Sequence, residues 1–198
     1  MFGDKMKSPF KELEKLDWEF IVRDKNGKII ARKKGKADSY LKNYMVIHYA
    51  VYGLAGENAV DTSGNSVAIH KSDGDDIDLG AGEGDDTYGI ILGTGSDPNS
   101  PGMYNLQSKI SHGDGDNLLH YYSVSIGNLT VDGNIVYYEI TREFKNNGSV
   151  DITVYEAGLV VKVGTVGKFL IGRQVISGGI TVPAGATLTF KFKPKITV

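Results

Sequence analysis

The chain contains no cysteine among its 198 residues. Disulfide frameworks, thiol catalysis, iron–sulfur clusters and cysteine-based zinc sites are therefore excluded together. Histidine is scarce as well. The chain has four, His48, His70, His112 and His120, which are dispersed along the sequence and form no HExxH pattern. The sequence also lacks a GxSxG nucleophile motif and a GxxxxGK[ST] phosphate loop. We therefore expect a protein that is not an enzyme, with no catalytic residue, no bound cofactor and no metal ligand.

Long apolar runs are absent too. The longest, residues 44–55, is interrupted by His48 and Gly53 and falls short of the roughly 20 residues that a membrane-spanning helix needs. Residues 1–16 carry seven charged side chains without an apolar centre, which is unlike a secretory signal. We expect no contact with membranes and folding in the cytoplasm.

The charge is balanced overall but unevenly spread. The chain has 22 Lys and Arg against 24 Asp and Glu, a formal charge of -2, which argues against a dedicated nucleic-acid binder. Residues 1–42 hold 12 basic and 7 acidic side chains, residues 43–120 hold 2 and 12, and residues 121–198 hold 8 and 5. Regions of opposite charge raise encounter rates and fix orientation when copies of a protein meet. The basic residues at positions 25–42, among them Lys33, Lys34 and Lys36, are candidates to meet the acidic residues at 73–86 of a neighbouring copy.

Beyond residue 57, turn residues recur every eight to twelve positions between β-branched and aromatic residues. This spacing is typical of an antiparallel β-sandwich or barrel. The predicted strands cover residues 66–70, 88–92, 104–110, 118–126, 135–144, 150–156, 159–163, 168–177, 180–182 and 186–192. We expect residues 57–198 to form the sandwich and residues 1–56 to pack on it or on a neighbouring subunit.

The N-terminal segment, residues 1–56, is predicted to contain a short helix, a hairpin and a longer helix. Ser8 and Pro9 are suited to begin an amphipathic helix that carries Phe10, Leu13 and Leu16. Strand formers at residues 18–24 and 29–32 flank Asn26-Gly27, a pair that favours a hairpin turn. Apolar residues then recur at three- and four-residue steps over 39–52, which predicts a helix capped by Asp38 or Ser39, with both faces against protein.

Two loops are candidate sites. Residues 73–86 are rich in glycine and carboxylates, the ligands that Ca²⁺ prefers, although the spacing matches neither an EF-hand nor a tandem β-helix repeat. A solvated surface loop is the favoured interpretation and a weak Ca²⁺ site is the alternative. The second loop, residues 93–98, follows a predicted strand as phosphate-binding turns do, but Pro98 and Pro101 exclude the helix that would hold a phosphate.

Two tyrosine pairs, Tyr121-Tyr122 and Tyr137-Tyr138, lie in predicted strands. Neighbouring strand residues point to opposite faces, so we expect one ring of each pair in the core and the other at the surface. Outward tyrosines favour contacts with proteins or sugars.

The order of these segments resembles a loosely defined group of virion structural proteins from tailed phages and archaeal viruses. The resemblance extends over most of the chain and is carried mainly by turns and strand boundaries. Its motifs are W-x-F-x-V-x-D-x-x-G at residues 18–27, the helix at 39–52, GDDTYGIILGTG at 84–95, YNL at 104–106, TR-x-F-x-NN at 141–147, YEAGL at 155–159, LI-x-R at 170–173 and TVPAG at 181–185.

The resemblance implies a capsid, capsid-decorating or tail-associated subunit with a jelly-roll-like β-sandwich, located in the virion and assembled in the host cytoplasm. Its partners would be copies of itself and other virion proteins, with a host receptor or glycan also possible and nucleic acid disfavoured. Two alternatives remain open. One is a carbohydrate- or receptor-binding sandwich, and the less favoured one is a glycosidase-type enzyme with paired carboxylates.

Overall fold

A computed structural model describes residues 14–36, 39–53 and 58–197. The predicted helix at Ser8 and Pro9 lies outside these residues except for its last member, Leu16, which belongs to a strand. The β-strands are β1 (Glu14–Arg23), β2 (Ile29–Lys36), β3 (Ser39–Tyr40), β4 (Asn58–Val60), β5 (Ser66–Ala68), β6 (Ile77–Asp78), β7 (Gly89–Gly93), β8 (His120–Tyr121), β9 (Ser125–Ile126), β10 (Thr130–Asp132), β11 (Ile135–Tyr137), β12 (Ile140–Lys145), β13 (Ile152–Val163), β14 (Gly167–Val182) and β15 (Thr187–Thr197). Two helical segments accompany them, α1 (Lys42–Val51) and a 3₁₀ helix (Lys71–Asp76).

The eight-stranded sheet is built around β15, which has β1 on one side and β11 and β12 on the other. β1 and β15 pair antiparallel from Glu14 opposite Ile196 to Arg23 opposite Thr187. β2 forms one edge, and β8, β9 and β10 complete the other. The hairpin predicted from residues 18–32 is therefore confirmed, and its two strands belong to the sandwich itself. Gly27 allows the turn because it adopts a φ of +81°.

The five-stranded sheet is dominated by the long hairpin of β13 and β14. β14 pairs with β3, while β13 pairs with β6 and β7, and all of these pairings are antiparallel. A small third sheet contains β4 and β5. The prediction of a mainly β protein made of antiparallel sheets is confirmed, whereas the jelly-roll-like connectivity stays a prediction.

The core lies between the inner faces of the two large sheets. Trp18 stacks on Phe20 and Phe190 from the eight-stranded sheet, with ring centroids 5.9 and 6.2 Å apart. The opposing sheet supplies apolar residues such as Val154 and Leu159, which are at most 1% exposed. Close packing between the layers leaves little free space, since a Cβ at Gly172 would lie 2.9 Å from Leu16 of the other sheet.

Helix α1 packs one face on the body and presents the other to solvent. It begins at Lys42 with Leu41 as N-cap, so the prediction of Asp38 or Ser39 as the cap is wrong. Ser39 instead belongs to β3, which pairs with β14. The buried residues of α1 are Asn43, Val46, Ile47 and Ala50. The outer face is exposed in the single chain, with Met45 64% and Tyr52 75% accessible, so the expectation of protein on both sides stays a prediction about a neighbouring subunit.

Several strand predictions need correction. Residues 104–110 form no continuous strand, because the backbone N–H groups of Gln107 and Ser108 bind the carboxylate of Glu156, and a single bridge between Lys109 and Gly93 joins this segment to β7. The predicted strands 150–156 and 159–163 are one strand, and so are 168–177 and 180–182. Residues 118–126 and 135–144 are each divided into two shorter strands.

Candidate functional site

The acidic loops meet two histidines at the end of the eight-stranded sheet. His120, the first residue of β8, is opposite Lys145 of β12. Its Nε2 lies 2.9 Å from Glu83 Oε1 and its Nδ1 lies 3.0 Å from Asp114 Oδ1. Hydrogen bonding to Glu83, and then to Asp114, raises the pKa of His120 above its usual value of 6.5. Through these two contacts His120 links the loop of residues 79–88 to that of residues 111–118.

His112 lies beside His120, with ring centroids 4.9 Å apart, although the two are eight residues apart in sequence. Its Nδ1 accepts the backbone N–H of Tyr121 at 3.1 Å. Its own backbone N–H donates to Asp86, which also binds Lys109 at 2.8 Å. Burial raises the pKa of Asp86, but the hydrogen bonds from Lys109 and His112 outweigh it and leave the pKa below the usual range. Both contacts favour the charged carboxylate and hold the loop.

The described carboxylates of the loop considered as a Ca²⁺ site do not converge. Asp73 accepts a hydrogen bond from the backbone N–H of His70. Asp78 accepts from the backbone N–H of Gly80 and from the hydroxyl of Tyr88. Asp85 accepts from the backbone N–H of Thr87. Each of these carboxylates is thus engaged by a donor within its own loop or nearby. Among the described side chains, to which that of Asp75 does not belong, no three His, Asp or Glu groups are arranged to hold a metal ion.

Arg142 fixes the acidic loop from inside the sandwich. The side chain is fully buried, and its guanidinium lies 4.8 Å from the ring centroid of Tyr121. All five N–H donors reach backbone carbonyls, namely those of Gly82, Asp85, Tyr88, Ile90 and Tyr122, at 2.6 to 3.1 Å. A planar fork of five donors suits this task, since a lysine could not bind so many fixed acceptors. The loop is therefore held in one conformation.

The glycine-rich turn at residues 93–98 binds an internal carboxylate and not a phosphate. Glu156 Oε1 accepts the N–H groups of Gly95 and Ser108 at 3.0 and 2.8 Å. Its Oε2 forms a 2.7 Å ion pair with Arg173 Nε, and both side chains are fully buried. Glycine is required at residue 93 because a Cβ there would lie 2.5 Å from Glu156 Oε1. The resemblance of this sequence to a phosphate-binding turn is thus explained by the Glu156 carboxylate that its backbone binds.

The tyrosine pairs behave as predicted only in part. Tyr121 is fully buried and donates its hydroxyl to the carbonyl of Ile110 at 2.6 Å, whereas Tyr122 is partly exposed. In the second pair both rings are half-buried. Lys193 lies 3.3 Å from the ring centroid of Tyr137, a cation–π contact on the outer side of the sheet.

An apolar groove, which we call the aromatic groove, runs between α1 and the ends of β11 and β15. One wall is a ladder of rings in which Tyr40 stacks on Tyr44 at 3.9 Å and Tyr44 packs on His48 at 4.2 Å. Two adjoining cavities of about 290 and 230 Å³ make up the groove. Both are lined by Tyr44, His48, Leu79, Tyr138 and Ile171; Leu129, Pro194, Lys195 and Ile196 border the first, and Tyr52 and Ile77 the second.

The outer face of the eight-stranded sheet is rich in cations. Its basic patch contains Arg32, Lys34 and Lys36 of β2 and Lys191, Lys193 and Lys195 of β15. Three acidic residues neutralise part of it, through the ion pairs Arg32–Glu19, Lys191–Glu139 and Lys195–Asp17. The patch therefore keeps an excess of positive charge. Among the described residues, no helix is long and apolar enough to cross a membrane.

Sequence reasoning missed the buried polar residues and the contact between His112 and His120. The burial of Glu156 could have been predicted, because this residue continues the inward-facing alternation of Ile152 and Val154 in an apolar strand. Compared with known proteins, the chain matches no family model, no curated protein and no solved structure at a significant level.

Proposed function

We propose that this chain is a structural subunit of a virus particle, a capsid, capsid-decorating or tail-associated protein, and that it acts by self-assembly. The observation that carries the proposal is the separation of charge over one folded body. The basic patch lies on the outer face of the eight-stranded sheet, while residues 71–120 hold ten acidic and two basic side chains. The order of sequence motifs described above supports the virion role.

Two different complementary surfaces on one molecule favour head-to-tail contacts. Such heterologous interfaces generate rings when the rotation closes and tubes or filaments when it does not. A symmetric dimer whose two-fold axis passes through either patch would instead bring like charges together and repel. We therefore expect rings, tubes or shells.

The acidic surface is organised before any partner arrives. Arg142 holds the loop of residues 79–88 through carbonyls of Gly82 and Asp85, and Asp86 is paired with Lys109. Ordering a loop at an interface costs free energy, so a loop already fixed by its own chain binds more tightly. This arrangement suits a repeated contact between rigid subunits.

Charge reversal tests the proposal. Lys34 and Lys36 are exposed and form no ion pair with an acidic side chain in the described part of the chain, whereas Lys33 donates to the carbonyl of Ser177 and helps to join the two sheets. Lys34→Glu/Lys36→Glu should weaken assembly and reduce its sensitivity to salt, as followed by light scattering from low to high ionic strength.

Lys71→Glu is the matched control. Lys71 is exposed on the 3₁₀ helix within the acidic region, so its reversal adds to the acidic charge and should leave assembly at least as strong. Circular dichroism establishes that each variant is folded. Unchanged assembly and unchanged salt dependence in Lys34→Glu/Lys36→Glu would dispose of the proposal.

A further inference from the structure

The eight-stranded sheet is open at both ends. β2 forms one edge and, within the described part of the chain, pairs only with β1. The other edge, which we call the β9–β10 edge, comprises residues 125–132, whose strands pair among the described residues only with β12 and β11. The chain before it is covered, since Val124 donates its N–H to the carbonyl of Ala81. Open edges present backbone N–H and C=O groups to which a strand of another chain can bind.

The two edges match in length and in direction. β2 and the β9–β10 edge both span eight residues, which is about 26 Å of strand. The order β10-β11-β15-β1-β2 consists of four successive antiparallel pairings, so β10 and β2 run in the same direction. Two copies that lie side by side in the same orientation therefore bring β2 of one parallel to the β9–β10 edge of the next.

The residues along the two edges favour the same direction. β2 has an apolar beginning, where Ile30 is 46% exposed, and it ends with the cations Lys34 and Lys36. The β9–β10 edge likewise begins with an apolar residue, Ile126, which is 48% exposed, and it ends with Asp132. Parallel alignment places Ile30 beside Ile126 and Lys36 beside Asp132. Antiparallel alignment would place the cations beside Ile126 instead.

The free charges at the two edges have opposite signs. Lys34 and Lys36 at the β2 edge form no ion pair with any described residue, and the same holds for Asp132 and for exposed Glu143 of β12, the strand next to the β9–β10 edge. The acidic loop of residues 79–88 also adjoins this edge, through the bond from Val124. Complementary charges fix the orientation of two partners and suppress wrong pairings.

Pairing between like edges is disfavoured. A two-fold contact between β2 and β2 would bring the lysines of both copies together, and lysine on an edge strand is a common protection against such pairing. A two-fold contact of the β9–β10 edge with itself would run antiparallel and place Asp132 of each copy beside apolar Ile126 of the other. The residues thus favour one edge against the other, since the wrong partner meets unmatched charges.

We propose that copies of this chain join edge to edge, with β2 of one subunit added as a parallel strand to the β9–β10 edge of the next. Backbone hydrogen bonds between the edges provide the contact, and the apolar and charged ends of the two strands set its direction. The inference rests on the proposed function and deepens it, because it assigns the head-to-tail contact to two named edges of one sheet. The partner that fits this surface is a second copy of the chain.

Cross-linking of single-cysteine variants tests the contact, because the chain has no native cysteine. Ile30→Cys carries its thiol on β2 and Ile126→Cys carries it on the β9–β10 edge, both at exposed positions. A mixture of the two, one of them enlarged by a tag, should form a heterodimer with a short bismaleimide cross-linker. Neither variant alone should form a dimer, since neither edge meets its like.

The direction of pairing has its own control. Val131→Cys places the thiol at the far end of the β9–β10 edge, where an antiparallel strand would bring Ile30. Its mixture with Ile30→Cys should yield severalfold less heterodimer than the mixture with Ile126→Cys. Equal yields, dimers from a single variant alone, or no heterodimer in either mixture would each overturn the proposal.

A second pair of variants covers the case in which a cysteine disturbs the fold. Val131→Lys adds a cation to the edge that meets Lys34 and Lys36, and it should raise severalfold the protein concentration at which light scattering detects assembly. Val150→Lys changes another exposed valine, outside both edges, and should assemble as the unmodified chain does. Equal assembly by the two variants, both with unchanged circular dichroism, would contradict the edge contact.

Particle mass distinguishes a failure of this inference from a failure of the proposed function. Particles that form without a heterodimer in the cysteine mixtures would leave self-assembly standing and remove the edge contact. A heterodimer captured from a protein that stays monomeric by mass would retain the edge contact and contradict the proposed function.

Discussion

Single buried polar residues hold the surface loops of this protein in place. Arg142 and the pair of Glu156 and Arg173 are fully buried, and they bind loops that are 48 to 76 residues away in sequence. Their positions coincide with motifs on which the resemblance to virion proteins depends, TR-x-F, YEAGL and LI-x-R. Those motifs therefore have a structural explanation in this chain that is independent of any function.

The buried pair gives the first prediction. Arg173→Met leaves the Glu156 carboxylate buried without its cation, which should cost about 3–5 kcal/mol of the free energy of unfolding. Lys191→Met breaks the partly exposed pair with Glu139 and should cost less than about 1 kcal/mol. Urea denaturation of both variants measures the difference. Equal losses would show that burial of the pair is not what makes it important.

A glycine beside this pair gives the second prediction. A Cβ at Gly93 would lie 2.5 Å from Glu156 Oε1 and 2.6 Å from the carbonyl of Ser108, so Gly93→Ala should destabilise the protein by roughly 1–3 kcal/mol. Gly102 has no atom within 4 Å of such a Cβ, and Gly102→Ala should change the stability by less than about 0.5 kcal/mol. Thermal unfolding of the two variants tests this, and comparable midpoints would contradict the close approach.

At the scale of elements, sequence periodicity predicted the longer strands well but missed the short paired strands β3, β4, β6 and β10. It placed the hairpin of β1 and β2 and the regions of β13, β14 and β15. It was wrong at residues 104–110, where backbone donors turn to Glu156, because a distant side chain cannot be read from local pattern. The cap of α1 was wrong for a similar reason, since pairing of Ser39 with β14 overrides its capping preference.

The link between two loops through His120 gives a prediction about pH. Protonated His120 binds Glu83 and Asp114, which raises its pKa in the folded protein above the usual 6.5. A raised pKa means that the stabilising contribution is present below about pH 6.5 and is lost as the pH rises through the folded-state pKa. The loops should therefore loosen toward alkaline pH, as seen by faster amide exchange after correction for its intrinsic pH dependence.

Titration of the His120 ring protons by NMR checks the cause. Glu83→Gln should lower the pKa of His120 toward its usual value, because it removes the strongest of the interactions that raise it. Asp114→Asn should lower the pKa as well. A His120 pKa that is unchanged in both variants would show that the two carboxylates do not stabilise the protonated imidazole.

At the scale of the whole molecule, fold class could be predicted from sequence, whereas the surfaces could be predicted only as charge totals. The sequence shows the excess of acidic residues between positions 43 and 120. It does not show that His112 and His120 of this acidic region lie side by side in the fold. The aromatic groove depends on rings from α1 meeting residues such as Tyr138 and Pro194 across the sandwich. Contacts between residues so far apart in the sequence depend on the tertiary fold and cannot be predicted from a local sequence pattern.

The most direct test of the account is the particle mass of the purified protein, measured by analytical ultracentrifugation and imaged by negative-stain electron microscopy at low and high salt. Opposite charges on one rigid body predict rings, tubes or shells at low ionic strength that dissociate as salt screens the contacts. A homogeneous 21.4 kDa species at every salt and protein concentration would contradict self-assembly as the function of this chain.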